Sequence, residues 1–275
     1  MMTSHDHSAD GHMFGSSDQS DSAGRPWEGR EFDQNPFAGD DGTMPLHLLG
    51  ALTDFREQPL DAPERAAKHM ALIDAVRTSR FLIPLLAEAG DYGVNEAGLV
   101  VEKTQELAIV TVAGPSGQKV LPVFTSVQAM NTWNPEARPV PMESRRAALG
   151  AVADGAKWIV VDPKSPTEFV MRRPTVEAVA KATPWAPNHI DPMMQHVFDT
   201  SISDEPFVNA IRLAAGDPDA RGRDEELVVQ IVLPPSLNQE DVERVIRSLS
   251  SKWAQEEIFA QRVDSMKVQL VPQRS

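Results

Sequence analysis

The sequence predicts an α+β protein with two mixed α/β sheet modules behind a disordered, acidic N-terminal tail. Three observations support this fold class. The 275 residues suffice for two domains of ordinary size, residues 1–43 show no apolar period, and the later segments alternate between short apolar runs and runs with helical period. We therefore expect the tail at 1–43, a first domain at 44–182 and a second domain at 190–273.

The tail carries about half of the net charge of −14. It holds nine acidic residues against two arginines, a balance of −7. Trp27, Phe32 and Phe37 occur there at wide spacing. They indicate either a strap that docks on the folded body or a linker with isolated aromatic residues.

The first domain is predicted to open with a helix at Asp61, where Pro63 occupies the first turn and a Glu follows three residues after the Asp. The apolar run 80–86 predicts a strand, and Pro84 within it favours an edge or bulge position. Two further strand-like runs flank the turn residues 114–117, which predicts a hairpin.

A strand-to-helix corner follows in KVLPVFTSVQAMNTW, residues 119–133. A hydroxyl at such a corner can serve as a nucleophile or help to bind a phosphate. Here the serine lacks the small neighbours of a G-x-S-x-G elbow, and the segment lacks the glycines and lysine of a phosphate loop. We therefore expect Thr125 or Ser126 to cap the helix instead.

The rest of the first domain reads helix, strand, strand, helix. A helix ends at Gly155, a typical C-cap residue. The continuous apolar run 156–163 predicts a central strand, and residues 168–171 are expected to pair with it. A helix over 174–182 closes the domain.

Three prolines in residues 183–192 predict a domain boundary. Beyond it we expect two strands, a helix capped by Asn238 with Asp241 in its first turn, and a final strand at 266–272. An antiparallel sheet is the expected arrangement. The long polar loop between the first two strands, GDPDARGRDEE, is expected to be exposed to solvent.

Composition excludes several classes of function. The chain has no cysteine, which rules out disulfides, thiol catalysis and thiolate metal sites. The acidic net charge argues against nonspecific binding to nucleic acid. No run approaches the length of a membrane helix, and the first thirty residues lack the order of a secretion signal. A cytoplasmic location is the simplest expectation.

Candidate metal ligands and anion sites are few. His5, His7 and His12 in the tail would bind a metal only weakly, and the other histidines lack ligand spacing, so no metal or other cofactor is expected. The tight basic pairs are Arg145–Arg146 and Arg172–Arg173. Arg173 lies at a predicted helix N-terminus, where a cation is unfavourable, so an acidic partner is of interest there.

Taken in order, SRFLIPLL, LAIVTV, KVLPVFTSVQAMNTWNPEARPVP and ADGAKWIVVDP resemble the N-terminal domain of the SseB family, named for enhanced serine sensitivity. NPFAGDDG also resembles the lead-in of actinobacterial-type members, and residues 192–272 are similar in outline to the second domain of the family. The resemblance implies a non-enzymatic protein with a link to serine tolerance and no assigned catalytic residues.

Three functions remain open on this basis, one of them a scaffold in which the acidic tail recruits a basic partner. The first is a cytoplasmic protein that binds an unknown protein partner or a small polar ligand, with Thr125, Ser126, Trp133, Arg145 and Arg146 as the expected contact surface. The alternative is a hydrolase-like enzyme whose site is assembled at the domain boundary. Its candidate residues are Asp162, His69 or His189, and Ser126.

Overall fold

A computed structural model describes residues 36–87, 92–94, 100–102 and 107–273. Most of the predicted tail, with Trp27 and Phe32, lies outside the described residues. In chain order the elements are α1 (Leu46–Glu57), α2 (Arg65–Arg77), β1 (Arg80–Ala87), β2 (Tyr92–Val94), β3 (Val100–Glu102), β4 (Leu107–Ile109), β5 (Val112–Ala113), β6 (Lys119–Val123), α3 (Val127–Trp133), β7 (Arg138–Glu143), α4 (Ser144–Ala153), β8 (Trp158–Val161), β9 (Phe169–Met171), α5 (Arg173–Lys181), a 3-10 helix (Asn188–Ile190), α6 (Pro192–Ser201), β10 (Ala210–Ala215), β11 (Leu227–Leu233), α7 (Gln239–Gln255), α8 (Glu257–Arg262) and β12 (Met266–Pro272).

The strands of the first half form mixed and antiparallel sheets, which confirms the α+β class. One sheet has the order β5-β6-β8-β9, with β6 and β8 parallel and the outer pairs antiparallel. A second has the antiparallel order β4-β1-β7, and a bridge between Leu82 and Phe124 connects the two. Strands β2 and β3 pair with each other. The predicted hairpin and the central position of β8 are confirmed.

The predicted edge or bulge position of Pro84 is wrong, because β1 lies between β4 and β7. It lies opposite Pro139 of β7, where neither residue has an N–H to donate. On the other side of β1, Leu82 exchanges two backbone hydrogen bonds with Phe124, and pairing with β4 begins at Leu85. N–H groups alternate sides along a strand, so the nitrogen of Pro84 faces the same side as that of Leu82. Pro84 therefore lies between the bridge to Phe124 and the pairing with β4, where β1 changes partner.

Helices α1, α2, α4 and α5 pack on these strands and enclose the first hydrophobic core. The sequence patterns did not predict α1, which begins after Pro45 without a capping side chain. The prediction that Asp61 caps α2 is wrong. That helix begins at Arg65, and its N-cap residue, Glu64, makes no side-chain cap. Gly155, with φ of 71°, follows α4 as expected.

The strands near the C-terminus form a further sheet with the order β10-β11-β12. It packs with α6, α7 and α8 around a separate core. The expected cap of α7 is present, since Asn238 accepts a hydrogen bond from the N–H of Asp241 at 2.9 Å. The antiparallel prediction is wrong for one pair, because β12 is parallel to β11. The α7–α8 crossover returns the chain to the start of the sheet, as a parallel connection requires. Helices α6 and α8 were not predicted.

The polar loop between β10 and β11, residues 216–226, was predicted to be exposed to solvent, but it is largely covered. Its Ala220 is 3% exposed and belongs to the first hydrophobic core. The carbonyl of Ala220 accepts a hydrogen bond from the N–H of Val170 in β9 at 2.7 Å. Gly222 lies so close to Trp158 that a Cβ there would be 2.8 Å from the indole. The loop therefore joins the two halves, and residues from Asp41 onward form one compact unit. The division into domains at 183–192 stays a prediction.

The closure of this loop predicts the effect of two glycine substitutions. A Cβ on Gly216 would lie 2.1 Å from the carbonyl oxygen of Glu225, whereas a Cβ on Gly150 in α4 meets nothing within 4 Å. We expect Gly216→Ala to lower the free energy of unfolding by about 2 kcal/mol through overpacking, and Gly150→Ala to raise it by about 0.5–1 kcal/mol. Urea unfolding followed by circular dichroism measures both. Equal midpoints for Gly216→Ala and wild type would contradict this packing.

Candidate functional site

A buried arginine fixes the 216–226 loop to the first half of the chain. Arg172, between β9 and α5, is 7% exposed. Its guanidinium contacts the carboxylate of Asp217 at 2.8 Å and that of Asp264 at 3.3 Å. It also lies over the indole of Trp158, 4.8 Å from the ring centroid, and the indole N–H donates to Asp264 at 3.0 Å. Burial alone would raise the pKa of Asp217, but the hydrogen bond and charge of Arg172 lower it.

Two arginines near the first helices bind carbonyl oxygens of the same loop. Arg65 donates from Nε to Pro218 at 2.6 Å, and its Nη1 donates to Phe55 at 3.1 Å and to Gln58. Arg56 donates to the carbonyl of Asp219 at 2.7 Å. Each arginine is thus held by carbonyl oxygens within the chain.

Arg173 finds its acidic partner inside the chain. It donates to the carbonyl oxygens of Ala260, Gln261 and Val263 at 2.7, 2.9 and 2.7 Å, at the C-terminal end of α8. Glu177, one turn along α5, lies 3.3 Å away. The unfavourable charge at the start of α5 is therefore offset by carbonyl groups of the second half.

Beneath the loop lies a cavity of about 450 Å³. Residues from α1, α2, α5, the 3-10 helix segment, β10 and the 216–226 loop line it. Its apolar wall includes Phe55, Ala66, Val170, Trp185, Leu213 and Ala214. Cavities of this size that combine an apolar wall with a few polar groups are typical of small-molecule sites.

His69 of α2 lines this cavity between two aromatic rings. The ring centroids of Phe55 and Trp185 each lie 4.8 Å from that of the imidazole. Burial, with smaller contributions from His189 and Arg65, lowers the pKa of His69 to about 3. The ring is therefore neutral at physiological pH, and within the described residues its nitrogens make no hydrogen bond.

His189 also lines the cavity, from the 3-10 helix, and burial lowers its pKa as well. Its ring makes no hydrogen bond within the part of the chain that the structure describes. Nearby, Glu226 accepts hydrogen bonds from Asn188 Nδ2 at 2.6 Å and from the backbone N–H of Asp264 at 2.7 Å. Burial raises the pKa of Glu226. The cavity wall thus combines two neutral imidazoles with a carboxyl group that has its own partners.

The residues expected at a contact surface lie elsewhere and have different roles. Ser126 is the N-cap of α3 and accepts from the N–H of Ala129 at 3.1 Å, as predicted. Thr125 is 1% exposed, so it adds nothing to an outer surface. Trp133 packs on Phe124, with ring centroids 5.3 Å apart.

Arg145 and Arg146 are exposed at the start of α4, and Arg145 Nε donates to the carbonyl of Ala180 at 3.2 Å. None of the five expected surface residues lines the cavity. Their role in contacting a partner stays a prediction.

Asp162, directly after β8, is the centre of a buried network that includes Thr125 at the corner after β6. Its carboxylate accepts from the N–H and hydroxyl of Thr125 at 2.7 and 2.6 Å, and from the hydroxyl of Thr167 at 2.7 Å. Burial raises its pKa, while these hydrogen bonds act in the opposite direction. Its φ of 49° places it in the left-handed region, which Asp tolerates better than most residues.

The residues of the hydrolase alternative fall into two separate groups. His69 and His189 lie at the cavity, whereas Asp162 and Ser126 do not line it. Sequence patterns missed Arg65, Arg172 as a loop ligand, Trp185 and Glu226. The one available signal was the proline-rich segment 183–192, which placed His189 and Trp185 near a junction.

Two absences hold for the residues that the structure describes. Among them, no group of three or more His, Asp or Glu residues could hold a metal ion. No described helix is both long and apolar enough to cross a bilayer. The histidines of the tail lie outside this part of the chain.

Residues 57–178 match the SseB protein N-terminal domain. This segment, which is less than half of the chain, is what is similar to the SseB family. The match runs from the end of α1 into α5 and contains the Ser126 corner, Asp162 and Arg172. It does not include the second SseB domain expected at 190–273, which stays a prediction. No curated protein and no solved structure matches the chain.

Removal of Arg172 tests the attachment of the 216–226 loop. Arg172→Met leaves the carboxylates of Asp217 and Asp264, 4% and 7% exposed, without their cation. We expect the free energy of unfolding to fall by about 3–5 kcal/mol. The double variant Arg172→Met, Asp217→Asn should recover part of that loss. Exposed Arg146→Met is the matched control and should change stability by less than about 0.5 kcal/mol. Equal losses for both single variants would refute this role.

The neutral state of His69 predicts a pH dependence of stability. Its folded pKa of about 3 lies below the ordinary value of 6.5, so stability is present above pH 6.5 and falls as acid protonates the unfolded chain. Between pH 7 and 5, wild type should lose about 2 kcal/mol more than His69→Phe. Glu226 and Asp162 titrate in both proteins and cancel in the difference. Parallel stability profiles, measured by urea unfolding, would show that His69 keeps its ordinary pKa.

Proposed function

We propose that this SseB-family protein is a non-enzymatic, cytoplasmic binding protein that holds a small uncharged molecule in the cavity beneath the 216–226 loop. The observation that carries the proposal is the cavity itself, about 450 Å³ in volume and mostly apolar. Two neutral imidazoles without hydrogen-bond partners in the described part of the chain line it. Both histidines are half-buried, and a ligand in the cavity would supply the partners that the described residues do not.

The charge balance of the wall favours an uncharged ligand. Arg172 is paired with two carboxylates, Arg65 is held by three carbonyl oxygens, and Glu226 accepts two hydrogen bonds. A charged ligand would lose its hydration on entering a mostly apolar cavity. The ionised groups of the wall without an oppositely charged partner among the described residues are Arg65, which carbonyl oxygens hold, and Asp61, which is exposed to solvent. Free serine, a zwitterion at neutral pH, is therefore a poor fit, and a link to serine tolerance would be indirect.

Binding is better supported than catalysis because the residues of the hydrolase alternative are divided between the cavity and the Ser126 corner. Catalysis at either place would need a nucleophile, its base and a substrate in one cleft. A protein partner at the exposed Arg145 and Arg146 is the second candidate. It rests on their exposure alone.

The neutral, polarity-sensitive dye prodan tests this function. We expect saturable 1:1 binding with a blue-shifted emission. Ala214→Trp, which fills the cavity from β10, should weaken binding at least tenfold, whereas Ala153→Trp on the exposed face of α4 should not. L-Serine should not displace the dye. Binding that survives Ala214→Trp, or displacement by L-serine at micromolar concentration, would overturn the proposal.

A further inference from the structure

The flat and neutral groups of the cavity specify the chemical class of its ligand. We infer that the site takes an uncharged, planar heteroaromatic molecule, about the size of an indole or a purine, that carries both a hydrogen-bond donor and an acceptor. This inference rests on the proposed function and adds the ligand class to it.

Donors and acceptors come from three side chains of the wall. His69, His189 and Thr175 line the cavity, and their side chains make no hydrogen bond within the described residues. A neutral imidazole has one N–H donor and one nitrogen acceptor, on opposite sides of the ring. Each histidine can therefore present only one of them to a ligand. Since either tautomer is open to each ring, a ligand with both a donor and an acceptor has a partner whichever group the two rings present, whereas a ligand with a donor alone has none when both rings present N–H.

The planar shape follows from the rings along one side of the cavity. Phe55, His69 and Trp185 form a continuous series with centroid separations of 4.8 Å, and the indole of Trp185 is only partly buried. The guanidinium of Arg65 covers Phe55, 4.3 Å from its ring centroid. Flat faces of this kind favour a flat ligand, since stacked and edge-to-face aromatic pairs add to the energy of apolar burial.

The volume of the cavity limits the size of the ligand. A volume of about 450 Å³ accommodates two fused rings with small substituents. Ala66 and Ala214 keep the wall open where larger side chains would fill it. The cavity is therefore suited to a bicyclic ring rather than to a long chain.

Matched ring compounds test the inference by isothermal titration calorimetry at pH 7.5 on the full chain. 7-Azaindole carries an N–H donor and a nitrogen acceptor on one edge, indole has the same shape with the donor alone, and caprolactam has both groups without an aromatic ring. We expect 7-azaindole to bind about tenfold more tightly than indole, which corresponds to one hydrogen bond, and more tightly than caprolactam. His69→Phe should reduce the ratio of 7-azaindole to indole toward one.

The wild-type comparison needs no substitution, so a folding defect of His69→Phe cannot obscure the result; His189→Phe serves as the second variant. Equal affinities for 7-azaindole and indole would overturn the donor–acceptor inference, and equal affinities for 7-azaindole and caprolactam would overturn the aromatic one. Both outcomes leave the cavity as a binding site. Failure of prodan and of every ring compound to bind would instead overturn the proposed function itself.

Discussion

The buried contact of Arg172 with Asp217, Asp264 and Trp158 is the constraint on which the rest of the molecule depends. An arginine removed from water in this way is tolerated only when carboxylates and hydrogen bonds replace its hydration. The partners lie in the second half of the chain, 45 and 92 residues away in sequence. One side chain therefore fixes both the 216–226 loop and the segment before β12 against β9.

The same contact limits the free charge in the cavity. Two carboxylates pair with Arg172, and carbonyl oxygens hold Nε and Nη1 of Arg65, so both cations are engaged within the chain. Burial, with smaller contributions from His189 and Arg65, lowers the pKa of His69 and keeps it unprotonated. The charges of Arg172, Asp217 and Arg65 thus hold the loop, and the other groups of the wall include imidazoles, a hydroxyl, aromatic rings and the exposed carboxylate of Asp61. Under the proposed function, recognition and assembly would use different side chains of one surface.

Much of the first half could be predicted from the sequence because its signals are local. The Ser126 cap, Gly155 and the run 156–163 each depend on neighbours within a few residues, and the structure confirms them. The loop 216–226 was mistaken for exposed chain because its polar composition matches that of solvent-facing loops. Its burial depends on Arg172 and Arg65, which are far away in sequence. Composition cannot show such pairing, and Pro84 was misplaced for the same reason.

The cavity could not be derived from either half of the chain by itself. His69 and Arg172 come from the segment that matches the SseB N-terminal domain, whereas Leu213, Asp217 and Glu226 come from beyond it. Without the second half, Arg172 would lie at a surface as an ordinary strand-end cation, and His69 would lose part of its enclosure. The presence of the N-terminal domain therefore does not by itself predict this site. A relative would need carboxylates positioned like Asp217 and Asp264, together with a loop that closes over α2, before the same binding chemistry could be expected of it.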